Sequence, residues 1–299
     1  MGTDLRAHSA HARSLFALAD AVTGQPIARL CADGPLERLT ETDVAQPAVI
    51  TTSLAALAVL RDELGLQPGA VAGHSVGELA AYVAADVFDA EAALRLVNVR
   101  AQAMAEACAS VDGSMAAVLG LDEPALRAAC AEASQPNSQV EIANLNAPGQ
   151  LVVSGTREAI ERLKTTARAR GAKRVLPLNV AGPFHSVYMR PAAEPLARAL
   201  ALTDFGSASI PVVLNVSAQA TQDPAQLRQE LAVQVYSPVR WLDTLQRLSE
   251  LGCDRFLEVG PGQVLSGLVR RTLPQASVAS FGSMADLADA RSLLEVAVG

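Results

Sequence analysis

The sequence predicts an α/β protein with a parallel-sheet large domain that is interrupted by a small inserted subdomain. Three observations support this fold class. Helical patterns alternate with short, apolar, β-branched segments, which is typical of parallel strands covered by helices. From residue 114 the predicted order changes to β-α-β-β-α-β, and after residue 182 the alternation of strands and helices resumes.

Composition and charge limit the partners and the cellular location that we expect for this protein. The chain has 299 residues, 50% of them hydrophobic, and a formal net charge of -7, which argues against a nucleic acid or an anionic membrane as the main partner. The four cysteines form no C-x-x-C pair and the N-terminus is polar, so we expect reduced thiols and a cytoplasmic location. We expect no bilayer-spanning helix, because no apolar run reaches roughly 18–20 residues.

The large domain is predicted from residues 1–112 and 182–299. Its first part contains helices over 46–64 and 88–109 around a short buried strand at 70–73. Its second part contains strands at 211–216, 255–259 and 277–281, separated by helices.

The inserted subdomain is predicted from residues 113–181. Its elements are strands at 114–120, 140–144, 150–154 and 173–180, with helices at 123–133 and 157–170. This β-α-β-β-α-β order is the ferredoxin-like motif. The cleft between a large domain and such an insertion is a natural ligand site.

The segment Gly73-His74-Ser75-Val76-Gly77 predicts a nucleophile elbow, because it stands between a buried strand and a helix. The glycines allow a tight turn that presents the Ser75 hydroxyl, so the large domain is expected to be hydrolase-like. The amide of Val76 lies near the helix N-terminus, where it can stabilise an oxyanion. A chance match remains the alternative, because the pentapeptide alone is common.

A serine nucleophile needs a base, and the chain has four histidines: His8, His11, His74 and His185. The first two lie in a polar stretch, and His74 is expected to pack or to support the elbow. By elimination and position, His185 is the predicted base, with a purely structural histidine as the alternative. No acidic residue stands at an obvious strand end, so a dyad oriented by a backbone carbonyl fits better than a triad.

Arg100 lies on the apolar side of its predicted helix, because its neighbours three and four residues away are Leu96, Val97, Ala103 and Met104. An unpaired buried charge is costly, and a guanidinium suits bidentate binding of a carboxylate. We interpret Arg100 as the group that reads a substrate carboxylate beside Ser75. Two other interpretations of Arg100 remain open: an internal ion pair, and a side chain that reaches solvent.

These residues together resemble the malonyl-CoA:acyl carrier protein transacylases over essentially the whole chain. The matching motifs are residues 73–78, Arg100, residues 144–150, 182–186, 234–241 and 258–262. The resemblance implies a two-step transfer, in which Ser75 takes malonyl from coenzyme A and the phosphopantetheine thiol of an acyl carrier protein removes it. It implies His185 as base and acid, and malonyl-CoA and the carrier protein as substrates, with no resident cofactor or metal.

The resemblance also assigns the substrate-binding residues. It implies that Arg100 grips the malonyl carboxylate, that Gln46 lines the site and that a main-chain carbonyl near Gln234 orients the histidine. Phe184 before the histidine and Val76 after the serine match the malonyl-selective pattern, since methylmalonyl-selective relatives have a smaller residue before the histidine. One methyl group is worth only about 1–3 kcal/mol of discrimination.

The N-terminus departs from the family pattern. Family members open with an apolar strand and a Pro-Gly-Gln-Gly-Ser-Gln-type loop that supplies the second oxyanion amide, whereas this chain begins at Met1 with the segment that follows. The first strand is therefore expected to be missing, and losing an oxyanion donor costs about 100- to 1000-fold in rate. We favour a true start upstream over a truncated relative with weak activity, because the later motifs are intact.

Two other functions and one docking surface remain open. The elbow also fits a serine hydrolase or thioesterase, and without the oxyanion loop the chain fits an inactive carrier-binding paralogue. Because carrier proteins are usually acidic, a basic patch is a candidate docking surface; it comprises Arg162, Lys164, Arg168, Arg170, Lys173 and Arg174. A solvated helix face explains these cations equally well.

Overall fold

The computed structural model describes residues 1–295 and combines helices with small sheets. The helices are α1 (Thr3–His8), α2 (Ala10–Thr23), α3 (Ile27–Asp33), α4 (Leu36–Leu39), α5 (Thr42–Leu64), α6 (Glu78–Ala84), α7 (Ala90–Ala109), α8 (Glu123–Ala133), α9 (Arg157–Ala169), α10 (Arg190–Ala201), α11 (Pro224–Gln234), α12 (Trp241–Glu250), α13 (Val264–Thr272) and α14 (Leu287–Glu295). The strands are β1 (Gly113–Leu119), β2 (Val140–Ala147), β3 (Gln150–Thr156), β4 (Arg174–Pro177), β5 (Val212–Val213), β6 (Ala220–Thr221), β7 (Arg255–Val259) and β8 (Ser277–Phe281). The mixed α/β class predicted from the sequence is confirmed.

The strands β1 to β4 form a four-stranded antiparallel sheet in the order β2-β3-β1-β4. This is the strand order of the ferredoxin-like motif, with α8 and α9 as its two helices. Both helices bury apolar side chains, such as Leu126 and Leu163, against sheet residues such as Val153. Asp122 and Thr156 cap the two helices by accepting hydrogen bonds from backbone amides in the first turns.

The parallel sheet of the large part is less continuous than the sequence predicts. β7 and β8 pair in parallel over five residues with the predicted bounds. The predicted strands at 70–73 and 211–216, however, meet only through a parallel bridge between Val71 and Val212. Two hydrogen bonds carry this bridge, from Val71 N to Pro211 O (3.0 Å) and from Val213 N to Val71 O (2.9 Å).

A groove of about 520 Å³ lies beside residues 70–73. Residues 256–259 also line this groove, and residues 70–73 do not pair with them. An extended segment with no neighbour on one side has few ladder hydrogen bonds. The full-length strands expected at 70–73 and 211–216 are therefore a wrong prediction in extent.

The long helix α5 crosses the interior of the large part. By length and composition it meets the criterion for crossing a membrane, with a mean hydropathy of 1.5, which corrects the expectation that no segment would do so. However, 72% of that apolar window is buried inside the protein, as in the core helix of a folded domain. It packs against α2 and α7, and the second of these carries Arg100.

Candidate active site

Ser75 lies at the apex of a sharp turn between the Val71 bridge and α6. Its backbone is in the left-handed region with φ 51°, which is uncommon for a residue other than glycine. A Cβ at Gly73 would lie 2.1 Å from the backbone of Gly77, so only glycine fits there. A Cβ at Gly77 would meet nothing within 4 Å, so the elbow requires the first glycine and not the second.

The Ser75 hydroxyl and the His185 ring are in direct contact. Ser75 Oγ lies 2.7 Å from His185 Nε2. On the other side of the ring, His185 Nδ1 lies 3.0 Å from the carbonyl oxygen of Gln234 and 3.1 Å from that of Ser237. Because carbonyl oxygens only accept hydrogen bonds, the proton is on Nδ1, and Nε2 accepts the serine proton. Two carbonyls thus stand where a triad would have a carboxylate.

The environment of His185 favours its neutral form. The side chain is 4% exposed, and burial lowers its pKa to about 3, with the nearby charge of Arg100 acting in the same direction. The ring is therefore unprotonated, and able to accept a proton, throughout the neutral pH range.

Arg100 points from α7 into the same site and is 3% exposed. Its Nη2 donates to Ser75 Oγ (3.1 Å) and to Gln234 Oε1 (3.0 Å), and its Nη1 donates to Gln46 Oε1. Burial lowers the pKa of the guanidinium to about 10, and the charge of Glu78 opposes this effect. All of these acceptors are neutral oxygens. Within residues 1–295, no carboxylate oxygen lies within 4.0 Å of the Arg100 guanidinium nitrogens.

The two glutamines predicted for the site, Gln46 and Gln234, make different contacts. Gln46, near the start of α5, holds the Arg100 guanidinium and has its amide nitrogen 3.6 Å from Met104 Sδ. Gln234 is 1% exposed, and its amide nitrogen donates to the Ser75 carbonyl (3.0 Å) and to Glu78. The Gln234 side chain thus lies behind the site, where it holds Arg100, and the Gln234 carbonyl orients His185.

Val76 and Phe184 flank the nucleophile and the base. Among the hydrogen bonds of residues 1–295, the Val76 amide has no acceptor, so it remains free to bind an oxyanion. Phe184 is half-buried, where the large core meets the sheet face formed by residues such as Met115 and Val152. Its ring fills space immediately before His185.

Comparison with known proteins shows the family of this chain. The family model described as the acyl transferase domain matches residues 1–293. This chain belongs to the acyl transferase family. It is 42% identical over 271 residues to the malonyl CoA-acyl carrier protein transacylase of Bacillus subtilis, covering 91% of this chain and 85% of that one. The transacylase of Escherichia coli is 38% identical over 293 residues, covering 98% and 94%.

Solved structures agree with this assignment. An acyl carrier protein S-malonyltransferase from Vibrio cholerae superposes with a TM-score of 0.92 at 40% identity, covering 97% of this chain and 94% of that one. A malonyl-transacylase in complex with a type II PKS acyl-carrier protein has a TM-score of 0.92 at 39% identity, covering 98% and 94%. The chain is therefore an acyltransferase.

The other histidines of this acyl transferase lie outside the reacting pair. His74 is half-buried, and its Nε2 lies 2.9 Å from Asn146 Oδ1 on β2, so it ties the elbow to the antiparallel sheet. Its ring also packs edge-on against Trp241. His8 and His11 are on the surface beside Glu63 and Asp62. Within residues 1–295, no group of three or more His, Cys, Asp or Glu could hold a metal ion.

Sequence reasoning gave no role to two buried polar residues behind the acyl transferase elbow, Asn215 and Glu78. Both are 0% exposed. Burial raises the pKa of Glu78 well above its ordinary value, and the charge of Glu230 raises it further. The available signal for Asn215 was its place at the end of the apolar segment 211–216, beside the elbow segment.

Proposed function

We propose that this chain transfers a malonyl group from coenzyme A to the phosphopantetheine thiol of an acyl carrier protein, through a malonyl ester on Ser75. The single observation that carries the proposal is the buried Arg100 guanidinium, which lies 3.1 Å from the nucleophile oxygen and has only neutral acceptors. A cation in this position selects an acyl group that ends in a carboxylate. The named activities of the similar proteins support the same substrate pair.

The first half-reaction follows from the contacts of Ser75 and His185. As Ser75 Oγ attacks the thioester carbonyl, His185 Nε2 accepts the hydroxyl proton, and the carbonyls of Gln234 and Ser237 stabilise the imidazolium through Nδ1. The Val76 amide donates to the oxyanion of the tetrahedral intermediate. When this intermediate collapses, the carbon–sulfur bond breaks and His185 returns the proton to the leaving thiolate.

The second half-reaction reverses these roles. The carrier thiol gives its proton to His185 Nε2 and attacks the malonyl ester, and the proton then returns to Ser75 Oγ as the ester bond breaks. Arg100 holds the malonyl carboxylate through both steps, and its guanidinium is kept in place by Gln46 and Gln234. Phe184 disfavours an added methyl on the acyl group by about 1–3 kcal/mol.

The carrier protein docks on the surface around this site. We propose that the protein acts in the cytoplasm. The charge of the predicted basic patch is partly neutralised by three ion pairs. They are Arg162–Glu158, Lys164–Glu161 and Arg170–Glu132. These pairs favour the solvated-face interpretation for that half of the patch. The other members, Arg168, Lys173 and Arg174, are exposed and remain the candidates for contact with an acidic carrier.

The proposal is tested by separating transferase from hydrolase activity. We expect malonyl-CoA to produce a burst of free coenzyme A equal to the enzyme, followed by a slow phase until holo-carrier protein is added. Turnover should then proceed with stoichiometric formation of malonyl-carrier protein, measured by mass spectrometry. Continuous release of malonate without any thiol acceptor would instead establish a hydrolase or thioesterase.

The neutral state of His185 predicts an unusual pH profile. Because the pKa of His185 is lowered to about 3, the base remains unprotonated as the pH falls, and kcat/KM for malonyl-CoA should stay nearly constant between about pH 5 and 8. A histidine with an ordinary pKa would lose activity tenfold per pH unit below about 6.5. Stopped-flow acylation rates in this range check the prediction, and an acidic limb centred near pH 6.5 would contradict it.

A further inference from the structure

We propose that Asn215 is a positioning residue that locks the nucleophile elbow in its reactive conformation; this rests on the proposed function. Asn215 is 0% exposed and spans the turn from the segment after β5. Its Oδ1 accepts a hydrogen bond from Ser75 N (2.7 Å), and its Nδ2 donates to Gly73 O (2.7 Å). One side-chain amide thus clamps the backbone on both sides of His74.

The orientation of this amide is fixed by its backbone partners. Ser75 N can only donate a hydrogen bond and Gly73 O can only accept one, so a flipped amide would lose both interactions. Glu78 holds the clamp from behind, because its Oε1 accepts from Asn215 N (3.0 Å) and Asn215 Nδ2 (3.3 Å). The clamp is therefore specific for an amide: a carboxylate of the same shape has no hydrogen to give to Gly73 O.

The left-handed backbone conformation of Ser75 explains why the elbow needs this clamp. A residue other than glycine in the left-handed region persists only where its surroundings over-determine the conformation. The contacts of Ser75 Oγ with His185 (2.7 Å) and Arg100 (3.1 Å) both depend on that conformation. The clamp also occupies the Ser75 amide, which leaves the Val76 amide as the oxyanion donor of the elbow.

The same buried network reaches the substrate-binding arginine. Glu78 accepts from the Gln234 amide, and Gln234 Oε1 accepts from Arg100 Nη2 (3.0 Å). Among the hydrogen bonds of residues 1–295, none joins Asn215 to Arg100, so loss of Asn215 should disturb the nucleophile more than carboxylate binding. This difference separates a positioning role from a general loss of the site.

The test compares Asn215→Asp, Asn215→Ala and Asn215→Ser with a control, Thr244→Val. Thr244 is also 0% exposed, and its hydroxyl donates to the carbonyl of Leu214, next to Asn215, rather than to the elbow. Single-turnover acylation by malonyl-CoA is measured and divided by the folded fraction, which is taken from the amplitude of thermal unfolding. Apparent affinity for malonyl-CoA is obtained from the concentration dependence.

We expect each Asn215 variant to acylate about 10- to 100-fold more slowly per folded molecule, because small displacements of a reacting group have effects of this size. The apparent affinity should change less than about threefold, since Arg100 keeps its partners. Asn215→Asp should be impaired although it fills the same space, and Thr244→Val should acylate at the parent rate per folded molecule.

Three results would overturn the clamp. They are a parent-like rate per folded molecule in the Asn215 variants, an equal loss of rate in Thr244→Val, and failure of all three Asn215 variants to fold, which would make the residue purely structural. If the parent protein itself forms no malonyl-serine, the proposed function fails instead. The two failures are therefore distinguishable within one experiment.

Discussion

Replacing Ser75 by alanine is expected to abolish malonyl transfer, with a loss of about 10⁴-fold or more. The variant removes the hydroxyl oxygen that contacts both His185 Nε2 and Arg100 Nη2, so no acyl ester can form at this position. Alanine has the same backbone preferences as serine here, so the melting temperature should change little. Formation of malonyl-carrier protein, followed by mass spectrometry, measures the effect.

The control for this variant is Ser14→Ala, which changes an exposed serine on the distant helix α2. It should transfer malonyl at the parent rate. If the parent protein transfers no malonyl and Ser75→Ala leaves binding of the carrier protein unchanged, the chain is an inactive carrier-binding paralogue. Transfer at the parent rate by Ser75→Ala would mean that another group is the nucleophile.

Replacing Arg100 by alanine is expected to change the substrate preference of the enzyme. Each hydrogen bond to a charged group contributes about 1.5–3 kcal/mol, so kcat/KM for malonyl-CoA should fall about 10- to 150-fold for each such bond lost. The acetyl group of acetyl-CoA has no carboxylate that could bind Arg100, so kcat/KM for acetyl-CoA should be unchanged or higher. Competition between the two substrates, read as acyl-carrier products by mass spectrometry, measures the switch.

The matched control for this variant lies on the same helix. Arg95 is on the exposed face of α7, where it pairs with Glu91, and Arg95→Ala should leave both kcat/KM values near those of the parent. Equal losses for malonyl-CoA and acetyl-CoA in Arg100→Ala would contradict carboxylate recognition. They would indicate that Arg100 acts on Ser75 itself, through the contact from Nη2 to Oγ.

Local signals in the sequence were sufficient for several parts of the site. The elbow was predictable because Gly73 and Ser75 lie in one short turn, and Arg100 because helical periodicity places it on an apolar face. His185 required elimination among four histidines, and its contact with Ser75 crosses 110 positions of sequence. The carbonyl support for His185 followed from the lack of a suitable carboxylate, and the structure shows two such carbonyls.

Other parts were not predictable because they depend on neighbours that are distant in sequence. Strand propensity marked residues 70–73 and 211–216, but the length of a ladder depends on which segments lie beside them, and here the two segments meet at a single bridge. Family resemblance gave the position of Gln234 and not the direction of its side chain. The clamp by Asn215 joins positions 140 residues apart, and no periodicity reveals it.

The central claim is that Ser75 carries malonyl between two thiols. The most direct test is to isolate the enzyme after reaction with malonyl-CoA, map the acyl group by peptide mass spectrometry, and then add holo- or apo-carrier protein. We predict one malonyl group on the peptide that contains Ser75, complete transfer to the holo-carrier, and retention with the apo-carrier. Absence of malonyl from that peptide, or loss to water at one rate regardless of the carrier, would contradict the account.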